Sequence, residues 1–166
     1  MNTELARFNM VEQQIRPWNV LDHAVLEQLS FVDRSLFVPS NFAELAYSDT
    51  EIPLLHGETM LAPRVAARLA QDLLLKPTDR VLEIGTGSGY LTALLASLSA
   101  TVLSLECHAD LLEHAITHLQ QAGIANAQLR QSSGVPTDLP QDSFDAIVLT
   151  GSVAQVPTEL LDLLKP

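Results

Sequence analysis

Three glycines at alternating positions separate a short apolar run from a leucine-rich segment. The apolar run covers residues 81–84, and Gly85, Gly87 and Gly89 follow it. An apolar run that contains β-branched residues predicts a buried strand, and the leucine spacing after residue 90 predicts a helix. Glycines let a ligand approach the backbone, and the first turn of a helix offers free N–H groups. The pattern therefore predicts a ligand-binding turn, although a tight turn without a ligand fits the same residues.

The spacing of these glycines and the residue before them indicate which ligand is bound. The dinucleotide fingerprint is G-x-G-x-x-G, whereas this turn reads G-x-G-x-G. Glu83 precedes the turn, and a carboxylate there would repel a pyrophosphate but attract a ligand with ammonium and sulfonium groups. These features favour S-adenosylmethionine over a nicotinamide dinucleotide. The residues predicted to bind it are Glu83, Gly85, Thr86, Gly87, Ser88, Gly89 and Tyr90.

A second acidic residue, Glu106, ends the next apolar run, which covers residues 101–105. It lies about 20 residues after Gly85, the distance at which an acid accepts hydrogen bonds from ribose hydroxyls in dinucleotide-binding folds. A solvated acid at a strand end is the alternative interpretation. Ser133 and Gly134 end the following, weaker strand and are predicted to lie near the adenine, although Ser-Gly is also an ordinary loop pair.

Strands and helices that alternate along the chain must position these residues. The predicted strands cover residues 81–84, 101–105, 127–130 and 144–149. Their alternation with helical patterns is typical of an α/β fold with a doubly wound, Rossmann-like parallel sheet. Right-handed crossovers give the strand order 3-2-1-4. Ligands bind at the carboxyl ends of such strands where the order reverses, so Gly85, Glu106, Ser133 and Thr150 are expected to lie together.

The first third of the chain predicts a small helical unit. Residues 1–58 are expected to form an N-terminal helical cap and lid loop, and residues 59–166 the Rossmann-like domain that binds the cofactor. Within the cap, Asp22 is predicted to begin a second helix by capping its N-terminus. The aromatic residues expected in the core of the cap are Trp18, Phe31 and Phe37.

The composition limits the classes of partner and the cell compartment. Nine Lys plus Arg stand against 20 Asp plus Glu, which gives a formal net charge of −11. An acidic chain argues against nucleic acid, whose phosphates need a basic surface. No apolar stretch approaches the roughly 20 residues of a membrane span, and the N-terminus lacks a secretory signal. A lone cysteine, Cys107, excludes an internal disulfide and favours a cytoplasmic location.

Two histidines four residues apart, His114 and His118, could in principle be metal ligands on one helix face. No third ligand lies near them in sequence, and the helix has a separate apolar face. We therefore interpret them as a solvated pair and predict no metal site.

The chain resembles the protein-L-isoaspartate (D-aspartate) O-methyltransferases over nearly its whole length. The blocks that carry the resemblance occur in the family's order. They are MVEQQI at residues 10–15, FVP at 37–39, AYSD at 46–49, GET at 57–59, VLEIGTGSGY at 81–90 and FDAIV at 144–148. The N-terminal blocks are more specific than the glycine turn, which many S-adenosylmethionine enzymes share.

The resemblance implies an enzyme that uses S-adenosylmethionine to methylate the abnormal carboxyl group of isoaspartyl residues, which starts the repair of aged proteins. It also implies a cytosolic, usually monomeric protein. Thr59, in a lid predicted over residues 55–60, matches the family's lid threonine and is the expected catalytic contact. A cap on the following helix is an alternative role for Thr59. Because a carboxylate is already nucleophilic, the enzyme must position it against the methyl group rather than activate it.

Three features depart from the family's pattern. The family's lid threonine is followed by Ile-Ser, whose serine is its usual active-site residue, whereas Met60 and Leu61 stand here. The family's Asp-Gly at the adenine is replaced by Ser133 and Gly134. The family also continues past Pro166 with strands that complete the sheet, so an exposed edge strand, and a dimer formed through it, are expected alternatives. A methyltransferase with another acceptor and a non-catalytic S-adenosylmethionine-binding protein both remain open.

Overall fold

The computed structural model describes residues 3–134 and 136–166, and it begins with a series of short helical segments. Helix α1, Thr3–Asn9, continues into a π-helical segment, Met10–Ile15, and a 3-10 turn, Arg16–Trp18. Asn19 follows with a left-handed backbone conformation, φ 60°, and ends this run. The π-helical segment anchors the run in the core through the buried side chains of Met10, Val11 and Ile15.

Helix α2, His23–Phe31, begins where the sequence predicts a cap. The Asp22 carboxylate accepts a hydrogen bond from the Val25 N–H at 3.1 Å, which satisfies one of the free donors of the first turn. Two 3-10 segments follow, Arg34–Phe37 and Ser40–Leu45. The predicted capping role of Asp22 is therefore confirmed.

A two-stranded antiparallel hairpin connects these segments to the rest of the chain. Strand β1, Ile52–Pro53, pairs with β2, Thr59–Met60, and the 3-10 turn Leu55–Gly57 joins them. The sequence predicts an irregular lid here, because strands of two residues show no periodicity. Helix α3, Pro63–Asp72, comes next, with its proline in the first turn.

The remaining strands form a parallel sheet with helices in the connections. In chain order the elements are β3 (Arg80–Ile84), α4 (Tyr90–Leu98), β4 (Thr101–Glu106), α5 (Ala109–Gln121), β5 (Ala127–Gln131), β6 (Ala146–Leu149) and α6 (Thr158–Leu161). The strand order is β5-β4-β3-β6, and all three pairs are parallel. The predicted order 3-2-1-4 and the α/β, Rossmann-like fold class are confirmed.

The last strand is shorter than the sequence predicts. Phe144 lies outside β6 because its N–H donates to the backbone oxygen of Leu163 at 3.0 Å. It also forms an isolated parallel bridge with Leu164. The chain after α6 therefore pairs with residues that the apolar pattern assigned to the strand.

Apolar side chains form two clusters, and successive residues of strand β3 belong to different clusters. Val81 lies in the larger cluster and Leu82 in the smaller, as the alternation of side chains along a strand requires. The larger cluster also contains Met10 and Phe37 from the N-terminal part, whereas α6 contributes Leu160 to the smaller one. The proposed division between residues 58 and 59 falls within the β1–β2 hairpin and remains a prediction.

The expectation of a core position was wrong for two of the three aromatic residues. Trp18 is 53% exposed and Phe31 is 72% exposed, whereas Phe37 is fully buried. Helix α2 buries aliphatic side chains rather than its C-terminal Phe31. Trp18 instead covers Arg64, whose guanidinium carbon lies 4.4 Å from the centre of the indole ring.

The described helices are too short or too polar to cross a membrane, and even α5 has just 13 residues.

Candidate active site

A cleft of about 460 Å³ opens at the carboxyl ends of the parallel strands. The turn between β3 and α4 forms one wall, and the hairpin strand β2 lies across from it. The predicted site residues that line the cleft are Thr59, Gly85, Thr86, Gly87, Ser88, Tyr90, Glu106, Ser133 and Gly134. The other two, Glu83 and Gly89, lie outside the lining. The structure thus brings most of the predicted residues together, while their individual roles remain predictions.

Gly85 lies where the end of β6 packs against the turn. Its φ is +101°, and a Cβ atom built on it would lie 2.2 Å from the Thr150 hydroxyl oxygen. That hydroxyl hydrogen-bonds the backbone oxygens of Ile84 at 3.0 Å and Gly85 at 2.7 Å. Backbone conformation and close packing therefore both require glycine at this position.

Gly89 serves the packing of two helices rather than the lining of the cleft. It is the N-cap of α4, with φ +86°, and a Cβ atom on it would lie 3.2 Å from the Cβ of Ala115 in α5. The absence of a side chain lets the start of α4 approach α5 closely. The third glycine of the motif thus positions the turn through the packing of α4 against α5, outside the cleft.

Glu83 is fully buried beneath the turn. Its Oε2 accepts hydrogen bonds from Thr92 at 2.5 Å and Ser104 at 2.6 Å, while its Oε1 is buried without a partner. Burial raises the pKa of Glu83 to about 7, and the two hydrogen bonds oppose this shift. Thr86, which lines the cleft, lies 2.6 Å from the Ser104 hydroxyl, so a hydrogen-bonded chain connects Glu83 to the cleft.

Glu106 is buried at the end of β4, and backbone donors fix its carboxylate. Its Oε2 accepts a hydrogen bond at 2.8 Å from the N–H of Gly87 in the glycine turn. Its Oε1 accepts from the N–H groups of Cys107 at 2.9 Å and His108 at 3.1 Å. The carboxylate is thus held against the glycine turn, and Oε2, which accepts from the Gly87 N–H, has further acceptor capacity.

Ser133 and Gly134 follow β5 and are both exposed at the edge of the cleft. The loop is held next to Glu106, because the Ser132 N–H donates to the Glu106 backbone oxygen at 2.8 Å. The Ser132 hydroxyl donates to the Gly134 backbone oxygen at 2.7 Å. This loop therefore lies beside Glu106 at the edge of the cleft without a carboxylate side chain, and its contact with the adenine remains a prediction.

The opposite wall of the cleft is mostly apolar. Thr59 is exposed in β2, whereas Met60 is buried and Leu61 half-buried, and all three line the cleft. The alternative role of Thr59 as a helix cap is not observed, since Ala62 is the N-cap of α3. A hydroxyl on the exposed strand residue is therefore free to face a ligand, and Leu61 offers no polar side-chain atom.

The sequence analysis missed Arg34, a fully buried arginine behind this wall. Its Nη2 donates to the backbone oxygen of Leu61 at 3.0 Å, and its guanidinium carbon lies 4.8 Å from the centre of the Tyr90 ring. Burial lowers the pKa of Arg34, whose Nε and Nη1 have no hydrogen-bond partner. Arg34 thus connects the wall at Leu61 to the start of α4. The sequence signal that could have identified Arg34 was a charged residue close to the apolar block FVP.

Other cleft residues missed from the sequence follow β6. Gly151, Ser152 and Val153 line the cleft after Thr150, which was predicted to lie at the point where the strand order reverses. They belong to a loop between β6 and α6, and loop residues carry no periodic signal.

The described residues include one group with ligand atoms close enough for a metal ion, formed by Glu106, Cys107 and His108. The Glu106 carboxylate in this group also accepts hydrogen bonds from backbone N–H groups, and the absence of a metal site remains a prediction. His118 is not simply solvated as expected, because its Nδ1 lies 3.0 Å from the Ser88 backbone oxygen.

Comparisons with known proteins identify the family of this chain. The family model for protein-L-isoaspartate(D-aspartate) O-methyltransferase (PCMT) matches residues 6–166. A protein-L-isoaspartate O-methyltransferase from Methanoculleus marisnigri is 39% identical over 158 residues, which cover 95% of this chain and 72% of that protein. One from Syntrophus aciditrophicus is 40% identical over 159 residues, covering 96% of this chain and 73% of that protein.

A solved structure agrees with these sequence matches. It is that of a Plasmodium falciparum protein named as a protein-L-isoaspartate O-methyltransferase (PCMT), in complex with S-adenosyl-L-homocysteine. It aligns with a TM-score of 0.78 and 26% sequence identity, over 99% of this chain and 80% of that one. The chain therefore belongs to the protein-L-isoaspartate(D-aspartate) O-methyltransferase family.

Proposed function

We propose that this chain is an S-adenosylmethionine-dependent O-methyltransferase that methylates the free carboxyl group of isoaspartyl residues in damaged proteins. The observation that carries the proposal is the cleft that places Glu106 and the glycine turn across from Thr59. Relatives at 39% and 40% identity carry the name of this activity. The reaction starts the repair of the damaged chain by marking its abnormal carboxyl group as an ester.

The polar groups in and beneath the cleft fit S-adenosylmethionine. Glu106 has acceptor capacity on Oε2 for ribose hydroxyls, and the loop with Ser133 and Gly134 lies beside it for the adenine. Glu83 adds a titratable acid beneath the turn, which favours a cationic ligand over a pyrophosphate. The volume of about 460 Å³ lies within the usual range for small-molecule sites, roughly 300–1,000 Å³.

In this reaction the side chains must orient the acceptor carboxylate and exclude water. When bound, S-adenosylmethionine supplies an electrophilic methyl group on a positively charged sulfur. The acceptor carboxylate is already nucleophilic, so the site must hold it about 3–3.5 Å from the reacting carbon. In this proposal Thr59 donates a hydrogen bond to that carboxylate, and the apolar side chains of Met60, Leu61 and Leu91, which also line the cleft, shield the region from water.

Leu61 distinguishes this function from its alternatives. Its side chain packs partly against the larger core cluster, and its backbone oxygen accepts from Arg34. Leu61 therefore offers no side-chain hydrogen bond to an acceptor carboxylate, and Thr59 is the proposed donor in its place. A methyltransferase with a different acceptor is the second candidate, because Leu61 makes this wall apolar. A protein that binds S-adenosylmethionine without catalysis is the third.

We further propose a cytoplasmic, monomeric enzyme that acts on protein rather than nucleic acid. The single Cys107 and the formal net charge of −11 support these statements. A dimer through the edge of β6 is the alternative assembly, since β6 is the last strand of the described sheet. Residues 1–58 would carry the cap and lid, and residues 59–166 the cofactor.

Methyl transfer from labelled S-adenosylmethionine to an isoaspartyl peptide tests the proposal. We expect base-labile label on this peptide and none on the matching aspartyl peptide. Thr59→Val keeps the volume but removes the hydroxyl, and it should lower kcat by tenfold or more, since one hydrogen bond to a charged group contributes about 1.5–3 kcal/mol. If Leu61→Ser raises isoaspartyl activity from nothing, the wild-type chain has changed its substrate, whereas no change argues against that alternative. S-adenosylmethionine binding without transfer to either peptide would refute the isoaspartyl assignment.

A further inference from the structure

A histidine and an aspartate from distant parts of the chain meet, each a few residues from a segment that lines the cleft. Nε2 of His56, in the Leu55–Gly57 turn, lies 2.9 Å and 2.8 Å from the two carboxylate oxygens of Asp110. Asp110 belongs to the first turn of α5. The His56 ring also stacks on His108, with ring centres 4.0 Å apart and planes inclined by 8°.

These contacts join the two walls of the cleft. On one side, His56 lies just before Glu58 and Thr59, which line the cleft. On the other side, His108 and Asp110 follow Glu106, the predicted ribose acceptor. A weaker contact reinforces the junction, since Nε2 of His108 lies 3.9 Å from a carboxylate oxygen of Glu58.

His56 has an unusual backbone conformation in this contact. His56 has φ 58°, in the left-handed region that non-glycine residues seldom adopt. His56 therefore contacts Asp110 and His108 from a backbone conformation that costs free energy. Gly57 follows, also with a positive φ of +77°.

We propose that His56 and Asp110 form a clasp that holds the hairpin wall against the ribose side of the cleft and slows the loss of the bound cofactor. This inference rests on the proposed cofactor. Neither residue lines the cleft, so both are positioning residues that act through the segment carrying Glu58 and Thr59. The ligand retained is a nucleoside whose ribose lies at Glu106.

The exposure of the pair sets the size of the effect. The side chains of His56 and Asp110 are 42% and 47% exposed. Exposed pairs of this kind change an equilibrium by about twofold to fivefold, and salt weakens them. The hydrogen bond from His56 holds the pKa of the Asp110 carboxyl below its ordinary value. A clasp of this strength can open for cofactor exchange, because water replaces its contacts.

A double-mutant cycle on the full chain tests the clasp, with S-adenosyl-L-homocysteine as the probe. His56→Asn keeps a residue that tolerates the left-handed conformation, and Asp110→Asn keeps the shape of its side chain. We expect each single variant to raise the Kd and the dissociation rate about twofold to fivefold, and the double variant to raise them no more than His56→Asn alone, which also loses the stack on His108. Glu113→Gln, on the same helix, is the matched control for lost charge and should leave both unchanged.

Steady-state kinetics separate positioning from general loss of structure. The clasp predicts a higher KM for S-adenosylmethionine with an unchanged Tm and an unchanged KM for the peptide. An unchanged Kd, or independent effects that add in the double variant, would overturn the clasp while leaving the proposed function intact. If the wild-type chain does not bind S-adenosyl-L-homocysteine, the cofactor assignment itself fails, and the clasp fails with it.

Discussion

Replacing Glu83 with glutamine isolates the effect of one buried acid beneath the cofactor turn. The wild-type carboxyl is fully buried and accepts hydrogen bonds from Thr92 and Ser104, while its second oxygen has no partner. Glutamine has the same shape and can accept the same two hydrogen bonds through its amide oxygen. The substitution therefore removes the titration of the group with little change in packing.

The magnitude follows from the pKa of Glu83, which burial raises from 4.5 to about 7. One pKa unit corresponds to about 1.4 kcal/mol, so ionised Glu83 destabilises the folded chain by about 3 kcal/mol. Below pH 4.5 the acid is protonated in both states and contributes nothing. Between about pH 4.5 and 7 the unfolded chain loses this proton first, so stability falls as the pH rises. Above pH 7 the full penalty is present.

Urea unfolding of the wild type and of Glu83→Gln, from pH 4.5 to 8, measures this effect. The free energy of unfolding of the variant relative to the wild type should rise by about 3 kcal/mol across that range. Glu159→Gln in the exposed start of α6 corrects for the loss of one negative charge from an acidic chain. A difference that stays constant from pH 4.5 to 8 would refute the raised pKa and the reasoning from burial.

Two further substitutions test the turn and the ribose acceptor. Gly85→Ala places a methyl group against Thr150 at a left-handed φ and should destabilise the chain by about 2 kcal/mol or more, whereas Gly151→Ala, with open space around it, should not; thermal unfolding compares them. Glu106→Gln should weaken the binding of S-adenosyl-L-homocysteine by about tenfold or more in calorimetry, because charged acceptors make the stronger hydrogen bonds. Unchanged affinity would contradict the ribose role.

The sequence predicts the sheet well because its signals are local. Apolar runs alternate with helical patterns, and the handedness of crossovers then leaves the order 3-2-1-4, which is the order observed. The Asp22 cap is a comparable local signal. Burial in the N-terminal part is decided instead by tertiary packing, so Trp18 and Phe31 could not be placed from their residue types. Strands of two residues, such as those of the hairpin, are invisible to a periodicity argument.

The site follows the same division. The glycine turn and Glu106 come together because both end neighbouring parallel strands, which the motif spacing implies. The contact between Arg34 and the Leu61 backbone joins residues 27 positions apart, and the His56–Asp110 contact joins residues 54 apart. No spacing rule connects such pairs, because loop geometry determines them. The close approach of Gly89 to Ala115 likewise depends on where α5 packs.

The position of the transferred methyl group tests the central claim most directly. Wild-type protein is incubated with S-adenosylmethionine and two peptides that differ in one linkage, isoaspartyl or aspartyl, and fragmentation mass spectrometry locates the added methyl group. The account predicts a methyl ester on the free α-carboxyl of the isoaspartyl residue and an unmodified aspartyl peptide. Bound S-adenosylmethionine with neither peptide modified, or a methyl group on any other atom, would contradict it.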